Sequence, residues 1–67
     1  MSEVLAYKFA VGEQVQFLPA PTDFHVPRGV YVVVRRFPFH GKDCSYRVKY
    51  TRDGHERVIP ESQLDRT

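Results

Sequence analysis

The segment Tyr46-Arg-Val-Lys-Tyr-Thr-Arg-Asp-Gly-His-Glu-Arg-Val-Ile-Pro60 has the sequence features of a complete β-hairpin. Apolar and polar side chains alternate along its first half, with Tyr46, Val48 and Tyr50 set against Arg47, Lys49 and Thr51. This period of two is typical of a strand with one buried face. Asp53-Gly54 is a dipeptide that tolerates positive φ in a tight turn. A second short strand is therefore expected over residues 56–59, and it ends at Pro60.

The pairing of the two hairpin strands depends on the length of the turn between them. A two-residue Asp53-Gly54 turn gives the pairs Arg52–His55, Tyr50–Arg57, Lys49–Val58 and Val48–Ile59. A three-residue turn would instead place Lys49 opposite Arg57. Like charges directly opposite one another destabilise a sheet, whereas an arginine can stack on a tyrosine. We therefore expect the two-residue turn.

The N-terminal half predicts one strand between two irregular segments. Residues 1–8 show no clear period and are expected to lead into the domain. Residues 9–17 predict an opening turn at Gly12 and a first strand in which Val15 and Phe17 share one face. Residues 18–27 contain three prolines, and proline removes a hydrogen-bond donor from a sheet. That segment is therefore expected to be a long, stiffened loop.

Residues 29–37 predict the strongest strand of the chain. Both of its faces begin with apolar residues, with Val30, Val32 and Val34 on one side and Tyr31, Val33 and Arg35 on the other. A strand of this kind is expected to be central, bent and covered on both faces. After it, residues 38–43 predict a loop that turns near Gly41, and residues 61–64 a single helical turn that returns Leu64 to the core. Residues 65–67 are expected to form a terminal stub.

Together these elements resemble the SH3-like barrel, with the Tudor and KOW domains among its relatives. The matching pieces are Phe9-x-x-Gly12-Glu13-x-Val15, Gly29-x-Tyr31-x-Val33, Tyr46-x-Val48, Asp53-Gly54 and Pro60-x-x-x-Leu64. The chain is most similar to small, uncharacterised SH3-like proteins of bacteria. The resemblance implies an all-β domain over residues 9–67, a small barrel of four to five strands with one short helical turn near its C-terminus. Proteins with this fold have many unrelated functions, so the fold by itself does not identify the function of the chain.

Two narrower resemblances suggest specific functions. Tudor-type barrels hold methylated arginine or lysine in an aromatic cage, but a barrel this small needs several of its aromatic residues for the core. The chain also resembles the plasmid-type dihydrofolate reductase, a tetramer of SH3-like barrels. In that family a Val-Gln-Ile-Tyr stretch before the proline lines the active pore, and here residues 56–59 read Glu-Arg-Val-Ile. Without the glutamine and the tyrosine, the resemblance supports the fold and argues against the activity.

Length and composition favour a small intracellular binding module. Sixty-seven residues form one domain with a small core. The single cysteine, Cys44, excludes an intramolecular disulfide and suits a reducing cytoplasm. No apolar run approaches the roughly 20 residues of a membrane span, and the N-terminal residues lack the pattern of a signal peptide. We therefore expect a cytoplasmic protein with no membrane partner; the sequence leaves its oligomeric state open.

The distribution of charge indicates an anionic partner as one possibility. Between Arg28 and Arg57 lie eight basic and three acidic residues, a net charge of +5 against +2 for the whole chain. Cations beside aromatic rings can bind the phosphates and stack on the bases of nucleic acids. The alternative is that these cations only solvate the outer faces of strands. The candidate nucleic-acid-binding residues are Arg35, Arg36, Lys42, Arg47, Lys49, Arg52 and Arg57.

A protein or peptide partner is the favoured hypothesis, because SH3-type peptide grooves are lined by aromatic residues between loops. Two loops, residues 18–28 and 37–40, offer such side chains, and the candidate residues are Phe24, His25, Phe37 and Phe39. No cofactor or metal site is predicted, since the three histidines lie in separate segments. Cys44 and His40 are the only nucleophile–base pair close in sequence, and no third residue orients them. No catalytic residue is therefore predicted.

Overall fold

The computed structural model describes residues 6–19 and 26–67, which form a single antiparallel sheet of five strands. The strands are β1 (Gln14–Phe17), β2 (Val30–Arg36), β3 (Ser45–Tyr50), β4 (Glu56–Pro60) and β5 (Leu64–Arg66). A three-residue 3-10 turn, Glu61–Gln63, connects β4 to β5. The all-β class, the number of strands and the helical turn near the C-terminus are therefore confirmed.

The spatial order of the strands is β4-β3-β2-β1-β5, so β4 and β5 form the two edges. The sheet is not closed into a barrel, because these edge strands are joined by the 3-10 turn and not by pairing. The sequence predicts a terminal stub over residues 65–67, but Asp65 and Arg66 instead belong to β5, whose first residue, Leu64, pairs with Phe17. Within the described residues, no helix is long and apolar enough to cross a membrane.

One face of the sheet, which we call the inner face, carries the core. The alternation along the hairpin is confirmed, since Tyr46, Val48 and Tyr50 are buried while Arg47 and Lys49 are exposed. Burial of these apolar surfaces supplies the main driving force for folding. The buried cluster consists of Phe9, Val15, Phe17, Tyr31, Val33, Cys44, Tyr46, Val48, Tyr50, Ile59 and Leu64.

Strand β2 is central, as expected, but its two faces differ. Tyr31 and Val33 are buried in the core, whereas Val30 and Val32 on the opposite, outer face are only half-buried. The expected cover on both sides is therefore incomplete. The register between β2 and β3 also shifts between Val33 and Arg35. A bulge of this kind inserts one residue and bends the strand, and it places Arg35 on the outer face instead of beside Tyr31 and Val33.

The predicted two-residue hairpin turn is wrong, and so is the three-residue alternative. Val48 pairs with Arg57 and Lys49 with Glu56, which leaves a four-residue turn over residues 51–54. The Gly54 amide donates to the Tyr50 carbonyl at 2.9 Å, and the Asp53 carboxylate accepts a hydrogen bond from the His55 amide at 2.9 Å. The two-residue change in pairing keeps every side chain on its expected face. It also brings Glu56 beside Arg47 and Lys49, which neutralises part of the basic outer face.

Candidate functional site

The segment between β2 and β3 is a short, well-braced loop. The Phe37 amide donates to the Ser45 carbonyl at 3.0 Å, which continues the β2–β3 pairing beyond Arg36. His40 and Asp43 exchange two backbone hydrogen bonds of 2.7 and 3.2 Å. These bonds close a tight turn in which Gly41 has a φ of 65°, a conformation that glycine adopts without strain. The side chains of residues 37–40 are therefore held on a fixed backbone.

A set of aromatic rings and cations in contact with one another lies at one end of the sheet. The Tyr7 ring lies 4.9 Å from the Phe39 ring, and the Tyr7 hydroxyl donates to the Phe37 carbonyl at 2.8 Å. The guanidinium of Arg36 lies 4.5 Å from the centre of the Tyr7 ring, and that of Arg35 lies 5.3 Å from the Phe37 ring. Both distances suit cation–π attraction. We call these five residues (Tyr7, Arg35, Arg36, Phe37 and Phe39) the aromatic surface.

A concave depression of about 220 Å³ adjoins the aromatic surface, and we call it the Phe37 cleft. Phe37 belongs to both features, while Phe39 is packed against the core. Binding sites are usually concave and largely apolar, with a few polar groups at fixed positions. The cleft is concave, but its lining is divided about evenly between apolar and polar residues, namely Phe37, Pro38, Cys44 and Pro60 against His40, Asp43, Ser45 and Ser62.

A polar cluster centred on Glu61 lies beside the Phe37 cleft and fixes its Cys44 wall. One carboxylate oxygen of Glu61 accepts hydrogen bonds from the Tyr46 hydroxyl at 2.5 Å, the Lys8 amide at 3.0 Å and the Cys44 thiol at 3.2 Å. The Tyr46 hydroxyl in turn accepts from the amides of Lys8 and Phe9 at 3.1 and 3.3 Å. The cluster therefore connects the N-terminal segment to β3 and to the 3-10 turn.

Cys44 and His40 line the same cleft, but Cys44 is not activated as a nucleophile. Burial, together with the hydrogen bond to the Glu61 carboxylate, raises the pKa of the Cys44 thiol. A raised pKa keeps the sulfur protonated at neutral pH, whereas nucleophilic catalysis requires the thiolate. Among residues 6–19 and 26–67, no group of three His, Cys, Asp or Glu side chains could hold a metal ion.

Acid is expected to destabilise the fold through Glu61. Burial raises the pKa of Glu61, but hydrogen bonds from Tyr46, Lys8 and Cys44 outweigh this effect and leave the pKa below its ordinary value of 4.5. A carboxyl with a depressed folded-state pKa contributes stability above its unfolded pKa, and this contribution is lost as the pH falls through the folded value. Urea unfolding between about pH 7 and pH 3 should therefore show a falling midpoint, with a weaker pH dependence in Glu61→Gln.

Glu56→Gln is the matched control for this titration. The hydrogen bond from Arg47 lowers the pKa of Glu56 as well, but this carboxyl is exposed on the outer face. Exposed ion pairs contribute little to stability, so Glu56→Gln should retain most of the acid dependence of the wild-type protein. If the urea midpoint of Glu61→Gln fell with pH as steeply as that of the wild-type protein, Glu61 would not be the group whose protonation destabilises the fold.

The seven candidate cations do not form one patch. Arg47 forms an ion pair with Glu56 at 2.5 Å, and Lys49 lies directly opposite Glu56 on the outer face. Arg57 points the other way, because its partner Val48 is a core residue. Arg36 pairs with the core residue Tyr46, so the register places Arg36 on the inner face as well. The remaining three are exposed, with Arg35 at the end of β2, Lys42 in the 37–43 loop and Arg52 in the hairpin turn.

The structure brings together two of the four predicted peptide-binding residues. Phe37 and Phe39 lie on the aromatic surface, whereas Phe24 and His25 fall outside the described residues. Sequence patterns gave no indication of Tyr7, which joins the aromatic surface although it is 30 residues away from Phe37. Several of the chain's aromatic side chains are buried in the core and therefore cannot form an exposed aromatic cage, among them Phe17, Tyr31, Tyr46 and Tyr50.

Comparison of the chain with protein-family models, curated proteins and solved structures finds no match. The functional inference therefore rests on the chemistry of the side chains of this protein.

Proposed function

We propose that this chain is a small, non-enzymatic, cytoplasmic binding module of SH3-like plan that binds an extended peptide segment of a partner protein. Five antiparallel strands and a helical turn before the last strand support the SH3-like plan. The free, buried Cys44 is in keeping with a reducing compartment. The binding site consists of the aromatic surface and the Phe37 cleft.

The observation that carries this proposal is the position of Phe37 between a concave cleft and a flanking cation. Phe37 lines the cleft, yet its ring is outside the buried core cluster. Its backbone is held on both sides by hydrogen bonds to Ser45 and Tyr7. A residue whose backbone is already fixed loses little backbone conformational entropy on binding, which raises the affinity for a partner. Aromatic residues and arginine are also the side chains that dominate protein interfaces.

The cleft and its rim indicate what the peptide should carry. A depression of about 220 Å³ has room for an apolar side chain, and Pro38 and Pro60 give it rigid walls. Arg35 and Arg36 lie at the rim on the aromatic surface, where each contacts a ring face. Cations at a rim favour partners of opposite charge and accelerate association. We therefore expect peptides with an apolar residue next to acidic residues.

Phe37→Ala tests the proposal with peptides selected from a randomised display library against the wild-type protein. Because the ring lies outside the core, the variant should fold, and circular dichroism will check this. We expect its affinity for the selected peptides to fall at least about tenfold, as for a residue at the centre of an interface. Fluorescence anisotropy measures the two dissociation constants.

Val11→Ala is the control for this comparison. Val11 is an apolar residue that is 58% exposed, more than the half-buried Phe37, and it does not line the Phe37 cleft. The control should bind the selected peptides as the wild-type protein does. Equal affinities for the Phe37→Ala variant and the wild-type protein, or a selection that yields no binding peptide, would contradict the proposed site.

Nucleic-acid binding at the outer face is the second candidate. Arg35 lies directly opposite Arg47 on that face, with Lys49 farther along β3. Directly opposed like charges are destabilising, and an anion between them would relieve the repulsion. If two to three phosphates are contacted, a plot of the logarithm of the binding constant against the logarithm of the salt concentration should have a slope of about −2 to −3. Titration with short RNA and DNA strands at two salt concentrations tests this, and no binding at low salt excludes it.

A further inference from the structure

Arg57 has an environment that its sequence position did not predict. On β4 it pairs with Val48, a fully buried residue, so its side chain extends from the inner face of the sheet. The guanidinium atom Nη1 is shielded from solvent, and among residues 6–19 and 26–67 it has no hydrogen-bond partner. Buried donors are almost always hydrogen-bonded in native proteins, and an orphaned one calls for a physical reason.

The surroundings of Arg57 are mostly apolar. Together with Phe17, Val26 and Ile59 it lines a depression of about 340 Å³ that is open to solvent, which we call the Arg57 cavity. Val58, Pro60 and Gln63 complete the lining. Pro60 is the one residue that this cavity shares with the Phe37 cleft, so the two lie on either side of the end of β4.

Within the described residues, no carboxylate neutralises Arg57. The ion pairs formed there are Arg47 with Glu56 and Arg66 with Glu13. The charge of Arg57 is felt inside the core, where it opposes the rise that burial causes in the pKa of Tyr31. The Tyr31 hydroxyl itself donates to the Pro27 carbonyl at 2.6 Å. A guanidinium in such surroundings gains most from a carboxylate, which accepts its hydrogen bonds and balances its charge.

We propose that the Arg57 cavity is a binding site for an apolar carboxylate, with the carboxylate on Arg57 and the apolar body against Phe17, Val26 and Ile59. The carboxylate can belong to a free aryl- or alkyl-carboxylic acid or to the C-terminal residue of a peptide, since both present the same chemistry. The site is independent of the peptide site proposed at the Phe37 cleft, because the two share only Pro60.

NMR titration of the ¹⁵N-labelled wild-type protein tests this site directly, with the Nε–Hε resonance of Arg57 as the probe. The ligands are 3-phenylpropionate for the free acid and N-acetylphenylalanine for a peptide C-terminus. A compound of this size with ordinary ligand efficiency has a Kd of about 1–10 mM. We expect the Arg57 resonance to shift and saturate in that range with at least one acid, and a difference in affinity between the two acids identifies the preferred source of the carboxylate. The uncharged 3-phenylpropionamide should bind at least about tenfold more weakly.

Two variants complete the test. Arg57→Gln should lose at least about tenfold in affinity for the acid, whereas Arg52→Gln, in the exposed turn of the same hairpin, should bind as the wild-type protein does. Equal binding of acid and amide, or no saturation with either acid below about 50 mM, overturns the proposal. A third contrary result is an Arg57 resonance that differs between the Asp23→Asn variant and the wild-type protein while added acid leaves it unchanged. Such a result shows that a carboxylate of the chain itself neutralises Arg57, and it also overturns the proposal.

Discussion

Tyr46→Phe is expected to lower the free energy of unfolding by about 2–3 kcal/mol, since it removes a hydroxyl that takes part in three hydrogen bonds and leaves the buried Phe9 amide without a partner. That hydroxyl donates to the Glu61 carboxylate at 2.5 Å and accepts from the Lys8 and Phe9 amides. The Phe9 residue is only 1% exposed, so water cannot replace the lost bond to its amide. Equilibrium unfolding in urea measures the change.

Tyr7→Phe is the matched control, because it also removes a single tyrosine hydroxyl. The Tyr7 hydroxyl makes one hydrogen bond, to the Phe37 carbonyl, at the half-buried edge of the sheet. Its loss should cost about 0.5–1.5 kcal/mol, the ordinary net contribution of a hydrogen bond. If the two variants lost the same stability, the Glu61 cluster would not be the junction between the N-terminal segment and the sheet.

Gly29→Ala is expected to destabilise the protein by about 2–4 kcal/mol through backbone strain and crowding together. Gly29 has a φ of 139°, and an added Cβ would lie 3.0 Å from Tyr50 Cε1 and 3.2 Å from the Tyr50 hydroxyl oxygen. The Tyr50 ring cannot easily move away, because it is buried and its hydroxyl donates to the Arg28 carbonyl at 3.0 Å. Thermal and urea unfolding both report the loss.

Gly41→Ala separates the two causes. Gly41 also has a positive φ, of 65°, but no atom lies within 4 Å of an added Cβ. Only the backbone penalty remains, so the expected loss is about 1–2 kcal/mol. A Gly29 variant no less stable than the Gly41 variant would show that Tyr50 does not hold the backbone before β2.

The pattern of side chains along the strands predicts which residues are buried, but not how the strands are paired. Alternation marks Tyr46, Val48 and Tyr50 as core residues because burial follows the pleat of a strand. The register depends on a four-residue turn closed by Asp53 and on the position of Glu56 beside two cations. Competing turns differ little in free energy, and the local sequence does not show which of them is the most stable. Strand β5 was missed because three residues are too few to show a period.

The candidate site is only partly predictable, for a different physical reason. Phe37 and Phe39 could be identified because aromatic residues in a loop between strands are unusual enough to suggest binding. Tyr7 and Arg57 could not be identified, since their roles depend on contacts between distant segments. The bulge at Val34 moves Arg35 to the outer face, whereas Arg57 lies opposite a core residue, and so on the inner face, in the expected and the observed pairing alike. A charge pattern that resembles one basic segment is thereby divided between two faces of the sheet.

The most direct test of the peptide-binding proposal is an amide chemical-shift map of the wild-type protein with a peptide selected from the display library. The proposal predicts the largest amide shifts around the aromatic surface and the Phe37 cleft, at residues 36–37, 39–40, 44–45 and 61–62. Shifts concentrated instead on the outer face, at Val32, Arg47 and Lys49, would contradict it.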